Sequence, residues 1–270
     1  MIKVNLVALD VDGTLITDDY EITSLTKQAV KQVYDQGGQI VLCTGRGPVS
    51  TLPLLEELGL TGMVITHNGA ATIDSATKAV LHENSFAMSD VEQFINHCRA
   101  EGIHYDVNTA FDLYVDRLPE EVREMYDKYM AEPIEVGDVM NLRLPIVKIS
   151  ASGEGAVLDR LISEWQRIGN PALRIIRSGD HFIDVMHRDA NKGNALKSLA
   201  RDLNIEAEHV LAIGNYNNDI EMIEFAGWGV AMDNSPDDVK QRANAVTASN
   251  NEEGVYLALR KYAIIEKESN

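Results

Sequence analysis

The sequence predicts an α/β protein whose parallel-sheet core is interrupted by an inserted α+β unit. Two observations carry this reading. Short apolar runs that stop abruptly in polar loops alternate with amphipathic helical stretches at both ends of the chain, and the middle follows a different pattern. At roughly 150 residues per domain, 270 residues suggest about two domains.

Residues 4–9 read as a buried parallel strand that ends at Asp10-Val11-Asp12-Gly13-Thr14. A helix over 23–36 carries Leu25, Ala29, Val30 and Val33 on one face and stops at Gly37-Gly38, before a strand at 39–43. A helix over 48–58 precedes a third strand, 62–66, which ends at His67-Asn68-Gly69-Ala70. This alternation calls for right-handed crossovers between parallel strands. The far end repeats the grammar, with a helix over 192–203, a strand at 209–213, a helix over 219–225 and a strand at 229–232. Ser235-Pro236-Asp237-Asp238 starts another helix, and a last one runs over 252–265.

Between 84 and 187 the pattern changes. A capping box at Ser89-Asp90-Val91-Glu92 opens a helix, acids cluster around Pro119-Glu120-Glu121, and an apolar run at 146–150 precedes a helix over 155–168. Two short runs follow at 173–176 and 182–186. The expected organisation is a core of residues 1–83 and 188–270 around an insert of residues 84–187, with a frayed tail at 266–270.

Composition narrows the function classes. Against 42 Asp and Glu stand 24 Lys and Arg, a formal net charge of −18, and no basic block compensates it, so no nucleic acid and no membrane surface is expected as partner. Cys43 and Cys98 sit in apolar contexts outside any metal-ligand spacing and read as reduced. The N-terminus lacks a signal peptide's apolar run, and no stretch approaches about 20 apolar residues, so a cytoplasmic location is expected.

Asp10 and Asp12 lie two apart at a strand end, so an extended chain places both carboxylates on one face, about 6 to 7 Å apart. Two acids so close call for a cation or a shared proton. Ligands of open α/β sheets bind outside the carboxyl ends of strands, where this pair falls. Thr44-Gly45-Arg46 follows the second strand and offers a hydroxyl and backbone N–H groups as an anion cradle. Lys192-Gly193 opens a helix, where the dipole disfavours a cation unless an anion is near. Gly214-Asn215-Tyr216-Asn217-Asn218-Asp219 supplies oxygens suited to a hard cation. Together these loops hold the parts of phosphoryl transfer. His67, His82, His97, His104, His181, His187 and His209 show no ligand spacing and read as structural or surface groups; Met88, Met125, Met130, Met140 and Met186 read as packing.

These motifs in this order resemble the haloacid dehalogenase superfamily, and within it the Cof-type sugar phosphatases. Asp10 to Leu15, Thr44-Gly45-Arg46, Lys192-Gly193 and Gly214 to Asp219 match the four family motifs, and Asn68-Gly69-Ala70 and Gly229 to Met232 resemble further signatures. The resemblance implies a Rossmann-like core with helices on both faces and an inserted α+β cap that selects the substrate. It implies that Asp10 attacks phosphorus, that Asp12 moves the protons, and that Thr44, Gly45, Arg46, Asn68, Lys192 and Asn218 bind the phosphate or substrate. Asp10, Asp12 (through its backbone carbonyl), Asn215 and Asp219 would hold Mg²⁺. The implied activity is a Mg²⁺-dependent phosphatase of small phosphorylated metabolites, sugar phosphates above all, in a monomer or homodimer.

One position departs from the family pattern. Asn215 stands where the family has a metal-ligating Asp, which removes a negative charge and implies weaker Mg²⁺ binding. The alternatives are a phosphomutase working through the same intermediate and a catalytically weakened protein that binds a phosphorylated metabolite.

Overall fold

A computed structural model describes residues 4–128, 131–179 and 181–264. In chain order, the first stretch holds β1 (Leu6–Asp10), α1 (Ser24–Asp35), β2 (Gln39–Cys43), α2 (Pro48–Glu57), β3 (Met63–Thr66), β4 (Ala71–Asp74) and β5 (Val80–Glu83). The middle holds α3 (Met88–Glu101), β6 (His104–Asn108), β7 (Leu113–Val115), α4 (Glu120–Lys128), β8 (Ile134–Glu135), β9 (Lys148–Ser152), α5 (Gly155–Ile168), β10 (Leu173–Gly179) and β11 (Phe182–His187). The last stretch holds α6 (Lys192–Asp202), β12 (Val210–Gly214), α7 (Ile220–Phe225), β13 (Trp228–Ala231), α8 (Asp237–Arg242), β14 (Ala245–Val246) and α9 (Gly254–Tyr262).

The eight-stranded sheet runs β14-β13-β12-β1-β2-β3-β4-β5, so strands from both ends of the chain meet at β1. Every residue of β1 is buried because helices cover both sheet faces. Val7 and Leu9 pack with Ala29, Val30 and Val33 of α1 and Val255, Ala258 and Leu259 of α9. Leu6 and Ala8 point the other way, against Ala195, Leu196 and Leu199 of α6 and Met222 of α7. The second sheet, β10-β11-β9-β6-β7-β8, is built from the middle of the chain. Tyr105, Val107, Ile149, Ala151, Ile183 and Val185 cover one of its faces and pack on α3 and α5, where Phe94 and Trp165 meet edge to face at 5.0 Å. Among the described residues no helix is long and apolar enough to cross a membrane.

Three local readings differ from the sequence expectation. The core sheet is mixed, because β4 pairs antiparallel with β3 and β5 with β4. His67, Asn68 and Gly69, at φ of 50°, 54° and 92°, reverse the chain there instead of sending it into a crossover. The α3 N-cap is Ala87, whose N–H donates to the Asp90 carboxylate at 2.9 Å, so Ser89 lies inside the helix and not at its cap. The last helix starts at Gly254, after a left-handed Glu253. Met130, the expected end of that helix at Ile265 and the expected frayed tail lie outside the described residues.

Gly193, at the start of α6, is a packing position. A Cβ there would meet the Glu221 backbone at 2.5 Å, so only glycine lets α7 approach α6 this closely. Gly193→Ala is expected to lower stability by about 1–3 kcal/mol through forced backbone displacement. A denaturant midpoint equal to that of the parent protein would refute this close packing.

Candidate active site

The strands bring the motifs together. β1, β2 and β12 are level at their carboxyl ends, with Asp10 opposite Cys43 and Leu9 opposite Ile213. The loops after them, and the N-terminus of α6, therefore share one sheet edge.

At its centre lies Lys192. Its side chain is fully buried, and Nζ lies 2.6 Å from Asp10 Oδ1 and 2.6 Å from Asp219 Oδ1. A lysine in a first helical turn opposes the dipole, and these two carboxylates supply the compensation. Asn191 caps the same helix by accepting from the Asn194 N–H at 2.7 Å. Burial raises the Asp10 pKa above the ordinary carboxylate value and Asp219 adds to it, while Lys192 opposes. Burial also works against the Lys192 charge, but Asp10 and Asp219 outweigh it and hold that pKa above the usual lysine value. Two carboxylates against one ammonium leave this buried triad one negative charge in excess.

Asp219 is held from two sides. Its Oδ1 accepts from Lys192, and its Oδ2 accepts from the backbone N–H groups of Asn215 and Tyr216 at 2.9 and 3.0 Å. With both oxygens engaged, it anchors the lysine and shapes the loop. Arg46 is engaged as well. Its guanidinium, with 11% of the side chain exposed, grips Asp12 through two bonds of 2.9 and 2.6 Å and does not lie open to an anion.

The remaining loops hold one another. Thr44 is buried; its Oγ1 accepts from the Arg46 N–H at 3.1 Å, which leaves the hydroxyl proton undonated among the described residues. The Asn68 N–H donates to the Thr44 carbonyl at 2.9 Å, and Asn68 Oδ1 accepts from Asn218 Nδ2 at 2.9 Å. A Cβ on Gly45 would come within 3.0 Å of the Asn68 amide, which explains the glycine between Thr44 and Arg46.

Asn215 tests whether these residues suit a divalent cation. Its side-chain amide reaches to 3.0 Å from Asp10 Oδ2, 3.0 Å from the Asp12 carbonyl oxygen and 3.3 Å from Thr14 Oγ1. Carboxylate and carbonyl are acceptors, so the hydrogen-bonding network turns the amide nitrogen toward them. With the oxygen turned in instead, it stands 3.0 Å from each of those two oxygens, the edge length of an octahedron with Mg–O distances of about 2.1 Å. The residues therefore fit Mg²⁺ in that second amide orientation. Among the described residues no group of three or more His, Cys, Asp and Glu side chains is placed to hold a metal, so such a set must include this amide and a backbone carbonyl. Sequence reasoning missed Thr14 here; its place beside Gly13, inside the Asp-x-Asp-Gly-Thr run, was the available signal.

A family model described as haloacid dehalogenase-like hydrolase matches residues 7–259. The 5-amino-6-(5-phospho-D-ribitylamino)uracil phosphatase YcsE of Bacillus subtilis is 30% identical, with 97% of each chain covered. The crystal structure of a haloacid dehalogenase-like hydrolase from Bacteroides thetaiotaomicron superposes with a TM-score of 0.88 at 27% identity, over 96% of this chain and 99% of that one. The subclass IIB sugar phosphatase BT4131 shares the fold, with a TM-score of 0.82 at 24% identity over 97% of this chain and all of that one. With those motifs gathered at one sheet edge and a match over nearly its full length, the chain belongs to the haloacid dehalogenase-like hydrolase family.

Proposed function

We propose that the protein is a phosphoric monoester hydrolase acting on small phosphorylated metabolites, sugar phosphates foremost, through a phosphoryl group carried on Asp10. The observation that supports this most is the buried Asp10–Lys192–Asp219 triad at the carboxyl edge of the sheet. The phosphatase names of its relatives support the same reaction class.

In this reading an Asp10 oxygen attacks phosphorus, the P–O bond to the leaving group breaks, and Asp12 gives its proton to the departing alkoxide. Asp12 then takes a proton from water as the water displaces Asp10 from phosphorus. Lys192 favours the ionised form of the nucleophile and orients it, and Thr44 Oγ1 and the backbone N–H groups of its loop receive phosphoryl oxygens. A phosphoryl dianion competes with Asp12 for the Arg46 guanidinium, so substrate arrival frees the acid that the reaction needs. Asp10 Oδ2, the Asp12 carbonyl and Asn215 Oδ1 would hold Mg²⁺, which would supply positive charge beside the phosphoryl oxygens. Residues 84–187 form the cap that excludes water and meets the leaving group. Reduced, buried Cys43 and Cys98 suit a cytoplasmic enzyme.

Asp10→Asn is expected to abolish phosphate release from a panel of sugar phosphates, and normal turnover by that variant would remove the nucleophile assignment. Lys192→Met leaves two buried carboxylates without a counter-charge and is expected to cost about 3–5 kcal/mol of stability; a loss below roughly 1 kcal/mol in denaturant titration would mean the triad is not what holds the edge together. Asn215→Asp is expected to bind Mg²⁺ on the order of tenfold more tightly by calorimetry. The same variant should melt below the parent in chelator, since it adds a third carboxylate beside Asp10 and Asp219. Equal or tighter Mg²⁺ binding by the parent would refute the role given to the amide.

A further inference from the structure

Directly after Asp10 the chain makes a tight turn on itself. The N–H groups of Thr14, Leu15 and Ile16 all donate back to the Val11 carbonyl, at 3.3, 3.0 and 3.1 Å, and Gly13 takes a left-handed φ of +72°. The carbonyls of Asp12 and Gly13 find their partners outside this turn. The Asn215 amide meets the first at 3.0 Å, and Asn234 Nδ2 donates to the second at 2.9 Å across a sequence separation of 221 residues.

Asn234 is itself placed by its surroundings. The Met232 N–H donates to the Gly214 carbonyl at 3.0 Å, which ties this loop to the residue just before Asn215, and the Ser235 N–H closes the turn onto the Met232 carbonyl at 3.1 Å. Asn234 Oδ1 accepts from the Asn250 N–H at 3.4 Å. Asn250 is buried, and its Nδ2 donates to the Ile16 carbonyl at 3.1 Å and to Asp18 Oδ1 at 3.0 Å. Two asparagines from the far end of the chain thus grip carbonyls on either side of Thr14.

The grip on Gly13 acts one peptide away from Asp12. The Gly13–Thr14 peptide is held at both ends, its carbonyl by Asn234 and its N–H by Val11. Glycine turns more freely than any other residue, so without that hold, rotation about Gly13 lets the Asp12–Gly13 peptide swing its carbonyl aside. A Cβ on Gly13 would stand 3.4 Å from Asn234 Nδ2 and 2.3 Å from the Asn215 amide, so the two amides flank one glycine. Stability alone does not account for the contact. Asn234 is exposed, and an exposed hydrogen bond that water can replace is worth about 1 kcal/mol or less. Water satisfies a carbonyl without fixing its direction, and direction is what a metal-facing carbonyl needs.

We infer that Asn234 is a positioning residue: through the Gly13 carbonyl it sets the Asp12 backbone, and with it the aim of the carbonyl that would hold Mg²⁺ and the place of the carboxylate that serves as acid. This deepens the phosphatase reading above and rests on it.

The test titrates Mg²⁺ by calorimetry without substrate, and compares kcat/KM for sorbitol 6-phosphate with kcat/KM for p-nitrophenyl phosphate, in the parent protein, Asn234→Ala and Asn234→Asp. An alkoxide needs a proton to leave and a nitrophenolate does not, so the ratio of the two esters reads the placement of Asp12. In Asn234→Ala, Mg²⁺ binding is expected to weaken on the order of tenfold and the ratio to fall about threefold or more. Its melting temperature in chelator should stay within about 3 °C of the parent. Asn234→Asp keeps an oxygen for the Asn250 N–H and loses the donor, and its ratio should fall at least as far. Parent-like Mg²⁺ affinity in Asn234→Ala, or parent-like ratios in both variants, would overturn the assignment. So would a larger melting drop in Asn234→Ala, since the bond would then hold the fold and not aim Asp12. If the parent hydrolyses neither ester, the phosphatase reading falls first, and the Mg²⁺ titration, which needs no turnover, still judges Asn234. A parent that binds no Mg²⁺ overturns the role given to Asn234 outright.

Discussion

Everything at the carboxyl edge of the sheet depends on one ammonium group, that of Lys192, placed between two carboxylates out of reach of water. Desolvating three charges is expensive, and attraction offsets the cost only with short, well-directed contacts. Three separate elements must therefore agree in position: β1 for Asp10, the loop after β12 for Asp219, and α6 for the lysine. Gly193 makes the agreement possible by letting α6 and α7 touch backbone to backbone, and the two backbone N–H bonds to Asp219 Oδ2 fix the other carboxylate. The excess negative charge that remains is what a divalent cation or a proton must offset, and it lies beside Asp10, the nucleophile of the proposed reaction.

Around the triad the loops lock each other, not merely themselves. Asn218 holds Asn68, Asn68 holds Thr44, Arg46 holds Asp12, and Asn234 Nδ2 donates to the Gly13 carbonyl at 2.9 Å. Bonds between loops that are far apart in sequence give them the rigidity that isolated loops lack, and a nucleophile held by such a network needs little reorganisation when charge develops. Gly13 belongs to the same logic: at φ +72°, a side chain there would run into the Asn215 amide at 2.3 Å. The glycine of the first motif and the asparagine of the fourth thus occupy neighbouring space, so a substitution at one is felt at the other.

Much of this was legible in the sequence because the signals were local. An apolar run ending in acids identifies β1 and Asp10, and a lysine where the helix dipole opposes it asks for an anion, which the structure supplies twice. What the sequence concealed was partner choice. Spacing alone does not pair Arg46 with Asp12, nor does it give Asp219 its lysine and its two backbone N–H donors. The antiparallel edge was hidden because it follows from left-handed dihedrals at His67 and Asn68, which no periodicity encodes. Lys148 and Asp184 are ordinary charged residues in a strand until register sets one diagonally across from the other on the face without helices.

The net charge sharpens the meaning of these placements. At −18 the chain repels a phosphate dianion at long range, although ions of physiological strength confine that repulsion to about 8 Å. Capture of an anion must then be local, and the cations that meet the site, Lys192 and Arg46, are the ones withdrawn from bulk water, where a charge acts with least screening. Their carboxylate partners keep them from forming an open basic patch that would draw any polyanion. An acidic surface with a few buried, pre-paired cations disfavours a polyanion, and in the proposed reaction a small phosphomonoester would displace one partner, so charge composition and site geometry point to the same kind of ligand.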